Sequence, residues 1–109
     1  MQTLVQVTCS KGRSLRDAIV KDPRLGDYNL AVRRTRKPGR SHGWAELHSV
    51  DPNRRGALKI QWNPAASVLF CRVVNRRGGT PEGLLGDFVG YLFGRHTKRI
   101  WALNVVPDR

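Results

Sequence analysis

Residues 80–97 read Thr80-Pro81-Glu82-Gly83-Leu84-Leu85-Gly86-Asp87-Phe88-Val89-Gly90-Tyr91-Leu92-Phe93-Gly94-Arg95-His96-Thr97, and this stretch decides the fold. Leu84, Leu85, Phe88, Val89, Leu92 and Phe93 recur at i, i+4 and i+8, the spacing of one buried helical face. Thr80 as N-cap and Pro81 at the first helical position mark its start. At about 100° per residue, Gly83, Gly86, Gly90 and Gly94 gather on the opposite side. Each glycine in a helix interior costs roughly 0.8–1.0 kcal/mol relative to alanine. Such a stripe implies strong packing of the apolar face, or close approach of a second element to bare backbone. Only Glu82, Asp87 and Arg95 are charged between Pro81 and Arg95, so Gly86, Gly90 and Gly94 form a candidate self-association surface.

On either side of this helix lie two stretches that are apolar on both faces. Ser67 to Asn75 places Val68, Phe70 and Val74 on one face and Leu69, Cys71 and Val73 on the other. Arg99 to Val106 does the same with Trp101, Leu103 and Val105 against Ile100, Ala102 and Val106. Strands buried on both faces belong in the middle of a sheet. The strand, helix and strand from Ser67 to Val106 are long enough for a right-handed parallel crossover.

Upstream, Met1 to Cys9 alternates as an opening strand. Ser14 followed by Asp17 marks the N-cap of a short helix carrying Leu15, Ala18 and Ile19, which Pro23 ends. Asp22 to Asp27 reads as loop. A strand from Tyr28 runs through Leu30 and Val32 to Arg36, turns at Lys37-Pro38-Gly39-Arg40, and returns over Gly43 to Val50. After a turn at Asp51 to Gly56, Ala57 to Trp62 sets Leu58, Ile60 and Trp62 against Lys59 and Gln61, and Asn63-Pro64 turns again. The order β-α-β-β-β-β-α-β predicts a single α+β domain over residues 1–109: one mixed, mostly antiparallel sheet of about six strands, with both helices packed on one face. The second apolar face of the central strands then needs cover, which a partner subunit would supply.

The 109 residues carry 20 Lys and Arg, 15 of them Arg, against 8 acidic residues, a formal charge of +12. That balance favours a polyanionic partner, since each phosphate neutralised releases counterions and Arg meets phosphate bidentately. Consecutive hairpin turns lie at opposite ends of a sheet, so the 51–56 turn and the 75–79 loop share an end. This gathers Arg54, Arg55, Arg76 and Arg77 at the N-terminus of the long helix, where free amides favour an anion and Gly78 and Gly79 permit close backbone approach. Arg33, Arg34, Arg36, Lys37 and Arg40 form a second basic patch suited to a nucleic-acid backbone.

Glu46 and His48, two apart on one strand, project from the same face near Trp44 and carry the chemistry of a general base and acid. No third ligand accompanies them, so no metal is expected, and no cofactor motif occurs. Cys9 and Cys71 lack CxxC spacing and read as buried reduced thiols. No leader pattern and no eighteen-residue apolar run occurs, and the expectation is a cytoplasmic protein that does not span a membrane. The sequence thus predicts a non-catalytic basic protein that binds nucleic acid, DNA or RNA, through phosphates as a homodimer. The alternatives are a small ribonuclease or toxin-like enzyme using Glu46 and His48, and an interaction or small-ligand-binding module whose charge only confers solubility.

Overall fold

The long helix and the strands around it form as the sequence pattern implies, and the register between them sets which residues face outward. The computed structural model of the protein describes residues 2–37, 43–52, 56–74 and 82–107. Strand β1 (Gln2–Cys9) leads to helix α1 (Leu15–Val20) and a 3-10 turn over Leu25–Tyr28. Strands β2 (Leu30–Arg36), β3 (Trp44–Ser49), β4 (Ala57–Asn63) and β5 (Val68–Val74) follow, then helix α2 (Glu82–Arg95), a 3-10 turn at Thr97–Arg99, and strand β6 (Ile100–Val106). The fold is α+β, one open six-stranded sheet in the order β2-β3-β4-β5-β1-β6.

Every neighbouring pair is antiparallel. The crossover through α2 does join two strands that run the same way, β5 and β6, but β1 lies between them and pairs with both. This satisfies the parallel relation read from the sequence without a parallel ladder.

Local chemistry places the joints. The Ser14 hydroxyl accepts the Asp17 backbone N–H at 3.2 Å and caps α1. The Asn63 side chain accepts the N–H groups of Ala65 and Ala66 at 3.0 and 3.2 Å, closing the β4–β5 turn. Gly56 sits at φ +113°, and a Cβ there would lie 2.8 Å from the Val74 carbonyl oxygen, so the start of β4 is open only to glycine.

The core lies on one side of the sheet. Leu15 and Ile19 of α1, and Leu84, Phe88, Tyr91 and Leu92 of α2, pack in one cluster with Val5, Val7, Leu47, Leu58, Ile60, Leu69 and Val73 of the strands. Each such side chain contributes roughly 1.5–3 kcal/mol on burial, enough for the α2 face to offset its glycines. The buried stripe of α2 differs from the expected one by a residue: Tyr91 is fully buried and Phe93 is 51% exposed. Phe93 lies about 100° beyond Leu92 and falls off the face, whereas Tyr91 enters the core because its hydroxyl finds polar partners there. Cys9 and Cys71 are buried free thiols, and burial raises the pKa of both.

The end strand departs most from its sequence pattern. Read as buried on both faces, β6 instead forms a sheet edge. Trp101 is 71% exposed, Val106 47% and Val105 43%.

Candidate nucleic-acid interface

With both helices on one side, no described element covers the opposite face of the sheet, and the register spells out what it presents. Across one row, Val106 of β6 neighbours Leu4 of β1, then Arg72 of β5, Lys59 of β4, Glu46 of β3 and Arg34 of β2. The next row runs Asn104, Gln6, Phe70, Gln61, Trp44 and Arg36. Adjacent strands stand about 4.8 Å apart, so these side chains form a continuous surface. Arg34, Arg36, Lys59 and Arg72 are exposed, and Phe70 in a central strand is 39% exposed.

Glu46 supplies the only carboxylate in these two rows, and it is neutralised. Its oxygens pair with Arg34 Nε at 2.6 Å and Arg33 Nη1 at 3.7 Å, and the residue is buried. The hydrogen bond from Arg34, opposed by burial and aided by the charges of Arg34, Arg33 and Lys59, holds its carboxyl below the ordinary glutamate range. A β-bulge between Val32 and Arg34 lets both arginines reach it from the edge strand. The Trp44 ring lies 4.4 Å from Lys59 Nζ and 5.9 Å from the Arg34 guanidinium carbon, a cation–π arrangement that steadies both cations over the face. Among the described residues no carboxylate forms an ion pair with Arg36, Lys37, Lys59 or Arg72.

The sequence-derived candidates are distributed unevenly over this geometry. Arg33, Arg34, Arg36 and Lys37 lie on or just after the edge strand β2, exposed, with the first two committed to Glu46. Arg40, Arg54, Arg55, Arg76, Arg77, Gly78 and Gly79, like the Thr80 cap and Pro81, lie outside the described residues. The residues flanking the two arginine-bearing loops do meet: Ala57 pairs with Val74, so the chain leaves β5 at the end of the sheet where it enters β4. Of the α2 glycines, Gly86 and Gly90 face open space. A Cβ on Gly94 would overlap the Tyr28 hydroxyl of the same chain, 2.8 Å from its Cζ, so this glycine serves a contact within the chain.

The catalytic alternative finds a constrained pair. Glu46 is occupied by its arginines. His48 is half-buried, with Nδ1 3.0 Å from the Ser49 carbonyl oxygen, to which it donates. Among the described residues no three His, Cys, Asp or Glu side chains gather as metal ligands, and no helix is long and apolar enough to cross a membrane.

Sequence reasoning missed Lys59, Arg72 and Phe70 as a cluster. The signal was present: Arg72 interrupts the apolar face shared by Val68, Phe70 and Val74, and Lys59 falls directly opposite it. It also missed a polar knot at the C-terminal end of α2. Asp22, whose side chain is 4% exposed, accepts hydrogen bonds from Tyr91 Oη at 2.8 Å and from Arg95 Nε and Nη2 at 3.1 and 3.2 Å. Tyr91 Oη also lies 2.8 Å from His96 Nε2. Because the Tyr91 proton goes to Asp22, His96 donates through Nε2 as the neutral ring, and burial keeps its pKa below the usual value. Burial works to raise the Asp22 pKa, but the hydrogen bonds from Arg95, the Arg24 backbone and Tyr91 outweigh it and bring the carboxyl to about 2.

Arg99 is similarly committed, donating to the Arg13 and Ser10 carbonyl oxygens at 2.6 and 3.1 Å and lying over Trp62. Arg95 and Arg99 are thus structural, whereas Lys59 and Arg72 of the open face and Arg36 and Lys37 of the β2 edge are exposed. Compared with protein-family models, curated proteins and solved structures, the chain matches none.

Proposed function

We propose that this protein is a non-catalytic, homodimeric nucleic-acid-binding protein that holds its ligand on the uncovered sheet face, chiefly through phosphate contacts. The observation that carries the reading is the exposed row of Arg72 and Lys59 continuing to Arg34 and Arg36, with one carboxylate already neutralised, in a chain of charge +12. Phosphodiesters complement that charge, and contacts to phosphate carry no base identity, so DNA and RNA are both accommodated. Phe70, flanked by Gln6 and Gln61 on the neighbouring strands, offers a flat apolar surface for an unpaired base and favours single strands over duplex. Arg54, Arg55, Arg76 and Arg77, the phosphate contacts expected from the sequence, belong to the same proposal.

The test is fluorescence anisotropy of labelled oligothymidylate, oligouridylate and duplex DNA between about 50 and 300 mM salt, where log K should fall linearly with log salt. Lys59→Ala with Arg72→Ala should shallow the single-strand slope by roughly 1.4, about 0.7 for each phosphate no longer neutralised. Binding indifferent to salt, or a slope unmoved by the double substitution, would remove the proposal.

A further inference from the structure

The two edges of the sheet are guarded differently. Each contains a β-bulge, between Val32 and Arg34 on β2 and at Trp101 on β6, where Thr8 pairs with Ala102 but Cys9 with Ile100. Beyond that they share nothing. The β2 edge exposes Arg33, Arg34 and Arg36 and runs on to Lys37, a row of like charges that repels a second strand. The β6 edge, Ile100-Trp101-Ala102-Leu103-Asn104-Val105-Val106, holds no charge, proline or glycine. Among the described residues it pairs only with β1, and its outer side is a free strand edge. Its composition is that of a strand covered on all sides, yet Trp101, Val105 and Val106 stand open to solvent.

We infer that β6 pairs edge to edge, antiparallel, with β6 of a second copy of this chain, joining two six-stranded sheets into one. The occupant follows from charge and from register. A chain of +12 repels itself over most of its surface, and β6 is the exposed strand where two copies meet without apposing arginines. With the two-fold axis at Asn104, the one polar side chain of the strand opposes itself and forms an amide–amide contact. Leu103 then faces Val105, and Ala102 faces Val106, so apolar residues oppose apolar ones throughout the regular part of the strand. A shift of one or two residues either way sets Asn104 against an aliphatic neighbour. Trp101, turned out at the bulge, covers the rim of the contact. The pairing supplies the interface for the homodimer of the preceding reading and places it on β6 instead of Gly86 and Gly90.

The experiment is sedimentation equilibrium on protein freed of nucleic acid, in about 300 mM salt to screen general repulsion. The wild-type chain should show a monomer–dimer equilibrium. Ala102 and Val106 are exposed on the open face, so Ala102→Lys with Val106→Lys leaves the core untouched while placing like charges opposite each other twice. That variant, and separately Ala102→Glu with Val106→Glu, should dissociate by roughly tenfold or more, and mixing the two should restore a dimer through Lys–Glu pairs. Circular dichroism of each variant checks folding. A wild-type chain that stays monomeric, a dimer undiminished by the lysine pair, or a mixture that does not reassociate would overturn the inference. Anisotropy on the same samples returned to about 50 mM salt separates the two readings: a monomer that binds oligonucleotide sinks the pairing and the homodimer but leaves phosphate binding standing, and a dimer that ignores oligonucleotide sinks the nucleic-acid reading alone.

Discussion

Replacing Asp22 by asparagine should remove both stability and part of its pH dependence. In the native protein Oδ2 accepts from Tyr91 and Arg95 Nε, while Oδ1 accepts from the Arg24 backbone N–H at 2.9 Å and from Arg95 Nη2. An asparagine retains one acceptor oxygen and turns an amide nitrogen toward two donors, leaving buried groups unsatisfied at an expected cost of about 2–3 kcal/mol near pH 6. The pH part follows from the carboxyl itself, lowered from 3.8 to about 2. At about 1.4 kcal/mol per pH unit this is worth roughly 2 kcal/mol, and nearer 1–2 once solvent screening of the half-exposed Arg95 is allowed for. The folded-state pKa is depressed, so this stabilisation is fully present above pH 3.8 and is lost as pH falls through about 2. Urea unfolding followed by tryptophan fluorescence at a series of pH values should show the gap between wild type and Asp22→Asn narrowing by that amount under acid conditions. A gap that stays constant with pH, or one below about 0.5 kcal/mol throughout, would refute the assignment of Asp22 as an ionised acceptor.

The α2 glycines should respond in opposite directions: Gly90→Ala, in open space, should stabilise by about 0.5–1 kcal/mol, whereas Gly94→Ala should lower the melting temperature because its methyl overlaps Tyr28. Gly56→Ala should cost more than about 2 kcal/mol in chemical denaturation, since it joins a left-handed φ to a clash with the Val74 carbonyl. His96 should titrate below 6.5 by proton NMR, burial being the main cause, and the stability tied to its neutral ring should be lost as pH falls from 6.5 through that lower value. A His96 titration at or above 6.5 would exclude the neutral donor to Tyr91.

The periodicity of local elements was legible in the sequence. The α2 stripe, the Ser14 cap, the Asn63 turn and the alternation of β1 and β4 all depend on residues within a few positions of one another. What depends on distant partners was not. Asp22 and Tyr91 are 69 positions apart, and nothing local tells that the Tyr91 hydroxyl will be satisfied inside the core while Phe93 is left outside. The placement of β1 between β5 and β6 is equally non-local, and it converts an apparently central β6 into an edge. At the candidate interface, the basic character of β2 was evident from its run of arginines. The Lys59–Arg72 pair required the β4–β5 register, which joins residues that each look unremarkable in their own strand.

The seat of β1 also orders assembly during synthesis. Its neighbours are strands that begin some 60 and 90 residues beyond its end, so β1 leaves the ribosome well before either partner exists. The β2–β5 meander has short-range pairings and can close early, while β1 must be threaded into the gap beside β5 and sealed only when β6 arrives. Relative contact order of this kind slows folding and leaves Val5 and Val7 unsheltered until β5 and β6 have been made. Loss of β6 therefore uncovers β1, some 90 residues away in the sequence.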